Sequence, residues 1–201
     1  MRIGIECSTL TRFPAGIGNY TYQLVRALAR QEGDEEYTLF YNRPLHSGLE
    51  IPSRMRHAQN GPASTHLWVQ TRLKSLCKKH GIDVFHSPGQ GIPLLYDNPS
   101  ILTVQKDLKS RVIWNTIVPA MARKANHIIT PSDHSRKDVI EHLGIPEEKV
   151  TRIHEAAGED YYPEIDLKKL YDFKRNTQLT DGYILAVATL EPRKNFPFLL
   201  E

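Results

Sequence analysis

Apolar runs and stretches of helical spacing alternate along most of the chain. Six apolar runs predict strands, at residues 2–7, 37–41, 83–85, 100–104, 127–130 and 150–154, and a further strand is possible at residues 55–59. Between them, apolar residues recur every three or four positions and predict helices, at residues 19–30, 66–80, 111–124 and 132–143. Because strands and helices alternate, the sequence predicts an α/β fold with a Rossmann-like, mainly parallel sheet and helices on both faces.

The last part of the sequence repeats this strand-to-helix pattern once. Residues 184–187 are apolar and predict a buried parallel strand, followed by a loop at 191–195 and a helix with Pro197 in its first turn. Before them lie a polar surface helix at 166–178 and a turn at 180–182. We therefore predict a first domain, a linker and the start of a second domain, at residues 1–165, 166–182 and 183–201.

The composition is that of an ordinary globular protein. Of the 201 residues, 40% are hydrophobic and 24% are charged, and the net charge is +3 at pH 7. Basic residues do not cluster with aromatic ones, so we expect no nucleic-acid partner. The sequence shows neither a membrane-spanning stretch nor a signal-peptide pattern, which favours a cytoplasmic protein. Cys7 and Cys77 lie far apart and are expected to be buried thiols.

The predicted helix at residues 66–80 has a basic side. Its core-facing side carries Val69, Leu73, Leu76 and Cys77. The other side carries one tryptophan and several cations, namely Trp68, Arg72, Lys74, Lys78 and Lys79. A solvated surface would explain this pattern, and so would peripheral contact with the anionic inner face of a membrane.

A glycine-bearing loop joins the first strand to the first helix, as in nucleotide-binding α/β folds. Its glycines are Gly16 and Gly18, but Thr21 stands where the dinucleotide fingerprint has a third glycine. The second strand ends in Asn42 rather than in an acid for a ribose hydroxyl, which argues against NAD. Loops after later strands also fall at carboxyl ends, where open α/β sheets bind ligands.

Two adjacent cations, Arg193 and Lys194, stand just before the last predicted helix. Asn195 can cap that helix. A helix N-terminus with neighbouring cations suits a phosphate or diphosphate group.

Five segments occur in an order and spacing that resemble the retaining glycosyltransferases of family 4. They are AGIGNY, DVFHSP, ITPSDHSRKD, LGIPEEKV and LEPRKN, at residues 15–20, 83–88, 129–138, 143–150 and 190–195. The resemblance implies the GT-B fold, in which two Rossmann-like domains face each other across a cleft. It also implies that the chain corresponds to the N-terminal, acceptor-side domain and the first strand of the C-terminal, donor-binding domain.

The resemblance implies roles in donor binding for several of these residues. Gly16 and Gly18, with Asn19 beside them, would approach the donor phosphate and the reacting sugar. Arg193 and Lys194 would bind the diphosphate and stabilise it as it leaves.

The candidate catalytic residues are Lys106, Asp107 and His86. Much of the family has a histidine-aspartate pair after the corresponding strand, and this chain has Lys106-Asp107 there. His86 could line the acceptor cleft or simply cap its loop. Ser132 and Glu155 are candidates for substrate binding, with helix capping and a solvated loop as the alternatives. No metal and no cofactor are implied, since the nucleotide-sugar is itself the donor substrate.

The leading hypothesis is transfer of a hexose, such as mannose or glucose, from a nucleotide-sugar to a glycan or a lipid-linked acceptor. Because the donor domain is missing beyond its first strand, we expect the chain to be inactive alone or to need that domain or a second chain. The alternatives are a non-catalytic remnant or sugar-binding module and, less favoured by the loop, a dinucleotide-dependent oxidoreductase.

Overall fold

The computed structural model describes residues 1–12, 14–61, 64–89, 91–104, 117–159, 161–180, 182–188 and 194–200. The chain divides into two compact units, Met1–Ala156 and Ala157–Glu201. The division falls in the loop that follows the last strand of the sheet.

The first unit is built on a seven-stranded sheet. Its strands are Arg2–Glu6 (β1), Glu36–Tyr41 (β2), Arg56–Gln59 (β3), Val84–Ser87 (β4), Ser100–Thr103 (β5), His127–Thr130 (β6) and Val150–Arg152 (β7). The spatial order is β3-β2-β1-β4-β5-β6-β7, and every neighbouring pair is parallel. The predicted α/β class and Rossmann-like sheet are confirmed. The strand order reverses between β1 and β4, the kind of position at which such sheets bind ligands.

Helices connect the strands of the first unit. Those described are Ile17–Arg30 (α1), Thr65–Thr71 (α2), Leu73–Lys79 (α3), Val118–Lys124 (α4) and Asp133–Leu143 (α5). The predicted start of the helix at residues 111–124 lies outside the described residues. Ser132 caps α5 by accepting a hydrogen bond from the Ser135 N–H, and Gly144 ends α5 with a φ of +64°.

Two hydrophobic cores lie on opposite faces of the sheet. Adjacent residues of β2 point to opposite faces, so Phe40 packs in one cluster while Leu39 and Tyr41 pack in the other. The first cluster contains buried residues of α2, α3, α4 and α5, and the second contains Val25 of α1. Helices therefore cover both faces, as predicted.

The helix predicted at residues 66–80 is interrupted at Arg72, which separates α2 from α3. The assignment of Trp68 to the solvated side was wrong, because its side chain is 0% exposed and packs in the first core. Leu67 is the exposed apolar residue of α2 instead. The burial of Trp68 depends on contacts with other elements, which helical periodicity does not reveal.

The second unit contains the helices Leu167–Thr177 (α6) and Phe196–Leu200 (α7). Asp166 caps α6 by accepting hydrogen bonds from the N–H groups of Lys168 and Lys169. The strand predicted at residues 184–187 was wrong, because residues 183–187 have no regular secondary structure. The described part of this unit contains no strand with which they could pair. Over the described residues, no helix has the length and apolarity needed to span a membrane.

Candidate functional site

The carboxyl edge of the sheet, where its strands end, carries buried polar side chains. Four strands end in or near a polar residue that is 7% exposed or less. These residues are Glu6 in β1, His86 in β4, Thr103 in β5 and Thr130 in β6. Buried polar groups are costly unless they are hydrogen-bonded. Their concentration at the edge that contains the strand-order reversal marks it as the candidate site.

Glu6 ends the central strand β1 and is 1% exposed. Its Oε1 accepts a hydrogen bond from the Ser8 N–H at 2.8 Å, which anchors the 3-10 turn Ser8–Thr11. The other oxygen, Oε2, is buried and has no hydrogen-bond partner among the described residues. Burial raises the pKa of Glu6 to about 7, and hydrogen bonding by Ser8 only partly offsets that increase.

The glycine loop after β1 uses its two glycines differently. Gly16 is the N-cap of α1 with a φ of +42°, and a Cβ there would meet no atom of the described residues within 4 Å. Gly18 is buried, and a Cβ there would lie 3.3 Å from the carbonyl oxygen of Thr9. Its N–H donates to the carbonyl of Ala15 at 2.8 Å. Gly16 thus leaves open space at the start of α1, whereas Gly18 packs the loop against the turn after β1.

Three side chains from three elements form a hydrogen-bonded row at this edge. The Nε2 atom of His86 in β4 lies 2.9 Å from the Oγ1 atom of Thr103 in β5. The hydroxyl of Tyr20, in the first turns of α1, lies 3.5 Å from the same Oγ1 atom. Burial lowers the pKa of His86 to about 4, so its ring is neutral at physiological pH.

The loop after β4 brings this row next to the glycine loop. A Cβ at Gly89 would lie 2.5 Å from the Cγ2 atom of Ile17, so the two loops are in direct contact at the start of α1. The hydroxyl of Ser87 accepts from the N–H of Gly91 at 3.1 Å and holds the loop folded. Residues that are far apart in the sequence therefore meet at the reversal between β1 and β4.

The structure places the other predicted residues as follows. Asn19 is exposed in the first turn of α1. Ser132 caps α5, the alternative role that the sequence allowed. Glu155 is exposed in the loop after β7. The pKa of Tyr20 is raised mainly by burial of Tyr20 itself, and the negative charge of Glu155 raises it further.

The described structure does not test the placement of four predicted residues. Lys106, Asp107 and Arg193 lie outside the described residues. Lys194 is exposed and belongs to the second unit. The roles assigned to these four residues stay predictions.

Four residues of this edge were not predicted from the sequence, namely Glu6, Tyr20, Thr103 and Thr130. The polar residue that interrupts the first apolar run could have indicated Glu6. Tyr20 and Thr103 gave no such signal, because their relation to His86 depends on strand order. The prediction that the strand at residues 83–85 ends before His86 was wrong, since β4 continues to Ser87.

The site is suited to polyhydroxy ligands. Its hydroxyl and imidazole groups are neutral donors and acceptors, which can match the hydroxyl groups of a sugar. Among the described residues, no group of three or more His, Cys, Asp or Glu side chains could hold a metal ion.

Comparison with known sequences identifies relatives for most of the chain. Residues 14–157 match the profile of Glycosyltransferase Family 4. O-antigen chain mannosyltransferase B of Escherichia coli is 25% identical over 213 residues, which cover 92% of this chain and 55% of that protein. The serotype-specific mannosyltransferase WbdA of Escherichia coli is 34% identical over 73 residues, 36% of this chain and 9% of that protein. The chain thus spans about half the length of the first relative.

Solved structures share the fold at low sequence identity. HepE of Anabaena, determined in complex with UDP and glucose, matches 98% of this chain and 56% of its own, with a TM-score of 0.69 and 15% identity. A glycosyltransferase from Rickettsia africae matches 90% of this chain and 50% of its own, with a TM-score of 0.56 and 12% identity. The profile match covers most of the first unit, and the sheet order agrees with a Rossmann-like domain. The chain therefore belongs to Glycosyltransferase Family 4.

Proposed function

We propose that the chain forms the acceptor-side part of a retaining glycosyltransferase that transfers a hexose from a nucleotide-sugar to a glycan or a lipid-linked acceptor. The observation that carries the proposal is the polar carboxyl edge at the β1/β4 reversal, in a chain of this family. The relatives are named mannosyltransferases, which favours mannose as the sugar. UDP and glucose in the complex of HepE support a nucleotide-sugar as the donor.

The chemistry of such a transfer defines what the protein must supply. The bond between the sugar C1 and the diphosphate oxygen breaks, and the diphosphate leaves with the electron pair. The acceptor hydroxyl oxygen bonds to C1 and loses its proton to the departing diphosphate. The protein must therefore stabilise the departing anion and orient the acceptor hydroxyl. The proposed reaction needs no cofactor, because the donor is already activated.

The proposed roles divide between the two units of the chain. Arg193 and Lys194 would bind the departing diphosphate as cations. Gly16 would let the loop approach the donor, since its position is open. The polar edge of the sheet would orient the acceptor. Lys106 and Asp107 remain the proposed catalytic pair.

A transfer assay tests this function. The purified chain is incubated with radiolabelled GDP-mannose or UDP-glucose and with mannose-terminated glycans or lipid extracts, alone and together with the donor-binding domain of a Family 4 relative. We expect label in the acceptor when the donor-binding domain is present. Absence of transfer from either donor in both arms would contradict the proposal. Retained glycan binding in that case would support the alternative of a non-catalytic sugar-binding module.

We also propose peripheral contact with an anionic membrane, which would suit a lipid-linked acceptor. Leu67 is 58% exposed and Leu95 is 72% exposed. Gln70 connects their two segments, because its Oε1 accepts from the N–H of Leu94 at 2.9 Å and its Nε2 donates to the Ile92 carbonyl at 3.1 Å. The same helical region carries lysines at positions 74, 78 and 79. Lys74 is paired with Asp97 at 2.9 Å, so the cations offered to the membrane are Lys78 and Lys79. Exposed leucines and cations in one region match the chemistry of an anionic membrane surface.

Vesicle sedimentation tests the membrane contact. We expect the chain to sediment with vesicles containing phosphatidylglycerol and not with pure phosphatidylcholine vesicles. Leu95→Glu should reduce sedimentation, whereas Leu170→Glu, a change in the second unit, should not. Equal sedimentation of wild type and Leu95→Glu would contradict the proposed surface. The two free buried thiols, Cys7 and Cys77, are consistent with a cytoplasmic setting for this contact.

A further inference from the structure

The row His86, Thr103 and Tyr20 leads from the interior of the sheet toward its surface. His86 is 7% exposed and Thr103 is 2% exposed, whereas Tyr20 is only partly buried. Thr103 is the shared member, at 2.9 Å from the His86 Nε2 and 3.5 Å from the Tyr20 hydroxyl. The buried part of the row can therefore determine how the outer hydroxyl presents its proton.

The hydrogen bonds of the row can run in either of two directions, because each of its three groups carries one proton. The neutral His86 ring carries one N–H, and each of the two hydroxyl groups carries one proton. If the His86 Nε2 carries the N–H, it donates to Thr103, Thr103 donates to Tyr20, and the Tyr20 proton is available to a ligand. If Nε2 is the acceptor, Thr103 donates to His86, Tyr20 donates to Thr103, and Tyr20 offers only its lone pairs.

Two arrangements suit a partner that is itself both donor and acceptor, as a sugar hydroxyl is. We propose that the Tyr20 hydroxyl binds a hydroxyl group of the acceptor sugar, with Thr103 and His86 as positioning residues. This inference rests on the proposed function, since it assigns a contact to the acceptor of that reaction. Tyr20 is protonated at neutral pH, and burial, together with the charge of Glu155, raises its pKa further above the ordinary value of 10.

A purely structural role for the row makes a different prediction. If the row only attached α1 to the sheet, loss of the Tyr20 hydroxyl would alter stability and leave sugar affinity unchanged in the folded protein. Tyr22 provides a matched control on the same helix, because its hydroxyl contacts the backbone of Glu50 at 3.3 Å rather than the row. Ligand affinity and thermal stability must therefore be measured together.

The test measures binding of a mannose disaccharide to the whole chain by titration calorimetry or ligand-observed NMR. Tyr20→Phe and Thr103→Val should each weaken binding about five-fold, the effect of one neutral hydrogen bond. Thr103→Ser keeps the bridging hydroxyl and should bind like wild type, as should Tyr22→Phe. The thermal midpoints of Tyr20→Phe and Tyr22→Phe should agree within a few degrees.

The other outcomes distinguish an error in the Tyr20 contact from an error in the proposed function. If wild type binds the disaccharide and Tyr20→Phe binds equally well, the Tyr20 contact is wrong and the proposed function stands. If Thr103→Val weakens binding but Tyr20→Phe does not, the assignment of the contact to Tyr20 is also wrong. If wild type binds neither the disaccharide nor a longer mannose oligosaccharide, the proposed acceptor class fails and the inference fails with it.

Discussion

The two edges of the parallel sheet are built from different kinds of polar contact. At the amino edge, where the strands begin, charged groups are exposed and paired, as in Arg56 with Glu36 at 2.9 Å and Arg2 with Asp83 at 3.9 Å. At the carboxyl edge, polar groups are buried. Glu6 and Thr130 each have a buried oxygen without a hydrogen-bond partner among the described residues.

The difference indicates how the fold separates stability from function. Exposed ion pairs cost little to form and contribute little, because water screens them. Buried polar groups reduce stability unless they are fully hydrogen-bonded, so a fold tolerates them where a ligand can use them. Substitutions should therefore have large, pH-dependent effects at the carboxyl edge and small effects at the amino edge.

His86 should give the largest effect. Its folded pKa of about 4 lies below the ordinary value of 6.5, so its contribution to stability is complete above pH 6.5 and is lost as the pH falls through 4. The loss should be about 3 kcal/mol, since one pKa unit corresponds to about 1.4 kcal/mol. Urea unfolding of wild type and His86→Gln between pH 7 and pH 4 measures it. A constant difference between the two proteins over this range would contradict the prediction.

Glu6 should give an effect of the opposite sign. Its folded pKa of about 7 lies above the ordinary value of 4.5, so its protonation stabilises the fold below pH 4.5 and that stability is lost as the pH rises through 7. As the pH rises from 5 to 8, the free energy of unfolding of wild type should fall by about 2 kcal/mol relative to that of Glu6→Gln, which does not titrate. The measurement is again urea unfolding. Parallel pH profiles of stability for the two proteins would show that folding does not raise the pKa of the Glu6 carboxyl group.

A substitution of Thr130 tests whether the buried polar groups of the carboxyl edge reduce the free energy of unfolding. Its side chain is 0% exposed, and its Oγ1 has no hydrogen-bond partner among the described residues. Thr130→Val replaces the hydroxyl with a methyl group of similar size and should raise the free energy of unfolding by about 1 kcal/mol. Chemical denaturation of the two proteins measures this change. A destabilisation would mean that the hydroxyl has a partner on which the fold depends.

The amino edge should give the smallest effect. The Arg56 and Glu36 side chains are 61% and 46% exposed, so solvent screens their ion pair. Glu36→Gln should change the free energy of unfolding by less than about 0.5 kcal/mol. Comparison at low and high salt provides the control, because any contribution should shrink with ionic strength. A loss comparable to that expected for His86 would remove the contrast between the edges.

Most of the sheet could be predicted from the sequence because most of its strands contain a short apolar run, although β3, with the sequence RHAQ, does not. Strands that are buried on both faces have this pattern wherever they lie in the sheet. The apolar run at residues 184–187 has the same pattern but forms no strand, because the described part of its unit provides no strand for pairing. Local pattern thus identifies a segment that can form a strand, and tertiary context decides whether it does.

The candidate site could be predicted only in part, for the same reason. The position of the glycine loop and of His86 near strand ends followed from the alternation of strands and helices. The contact of Thr103 with both His86 and Tyr20 did not, since it requires β4 and β5 to be neighbours and α1 to lie above their ends. Similarly, the burial of the Glu6 carboxyl group follows from the central position of β1.

Binding of the acceptor at the carboxyl edge is tested most directly by an NMR titration of the isotopically labelled chain with a mannose disaccharide. We expect chemical-shift changes to cluster at the carboxyl edge, around Tyr20, His86 and Thr103, while Arg2 and Arg56 at the amino edge do not shift. Changes confined to the amino edge, or no change at saturating disaccharide, would contradict the claim that the carboxyl edge binds the acceptor.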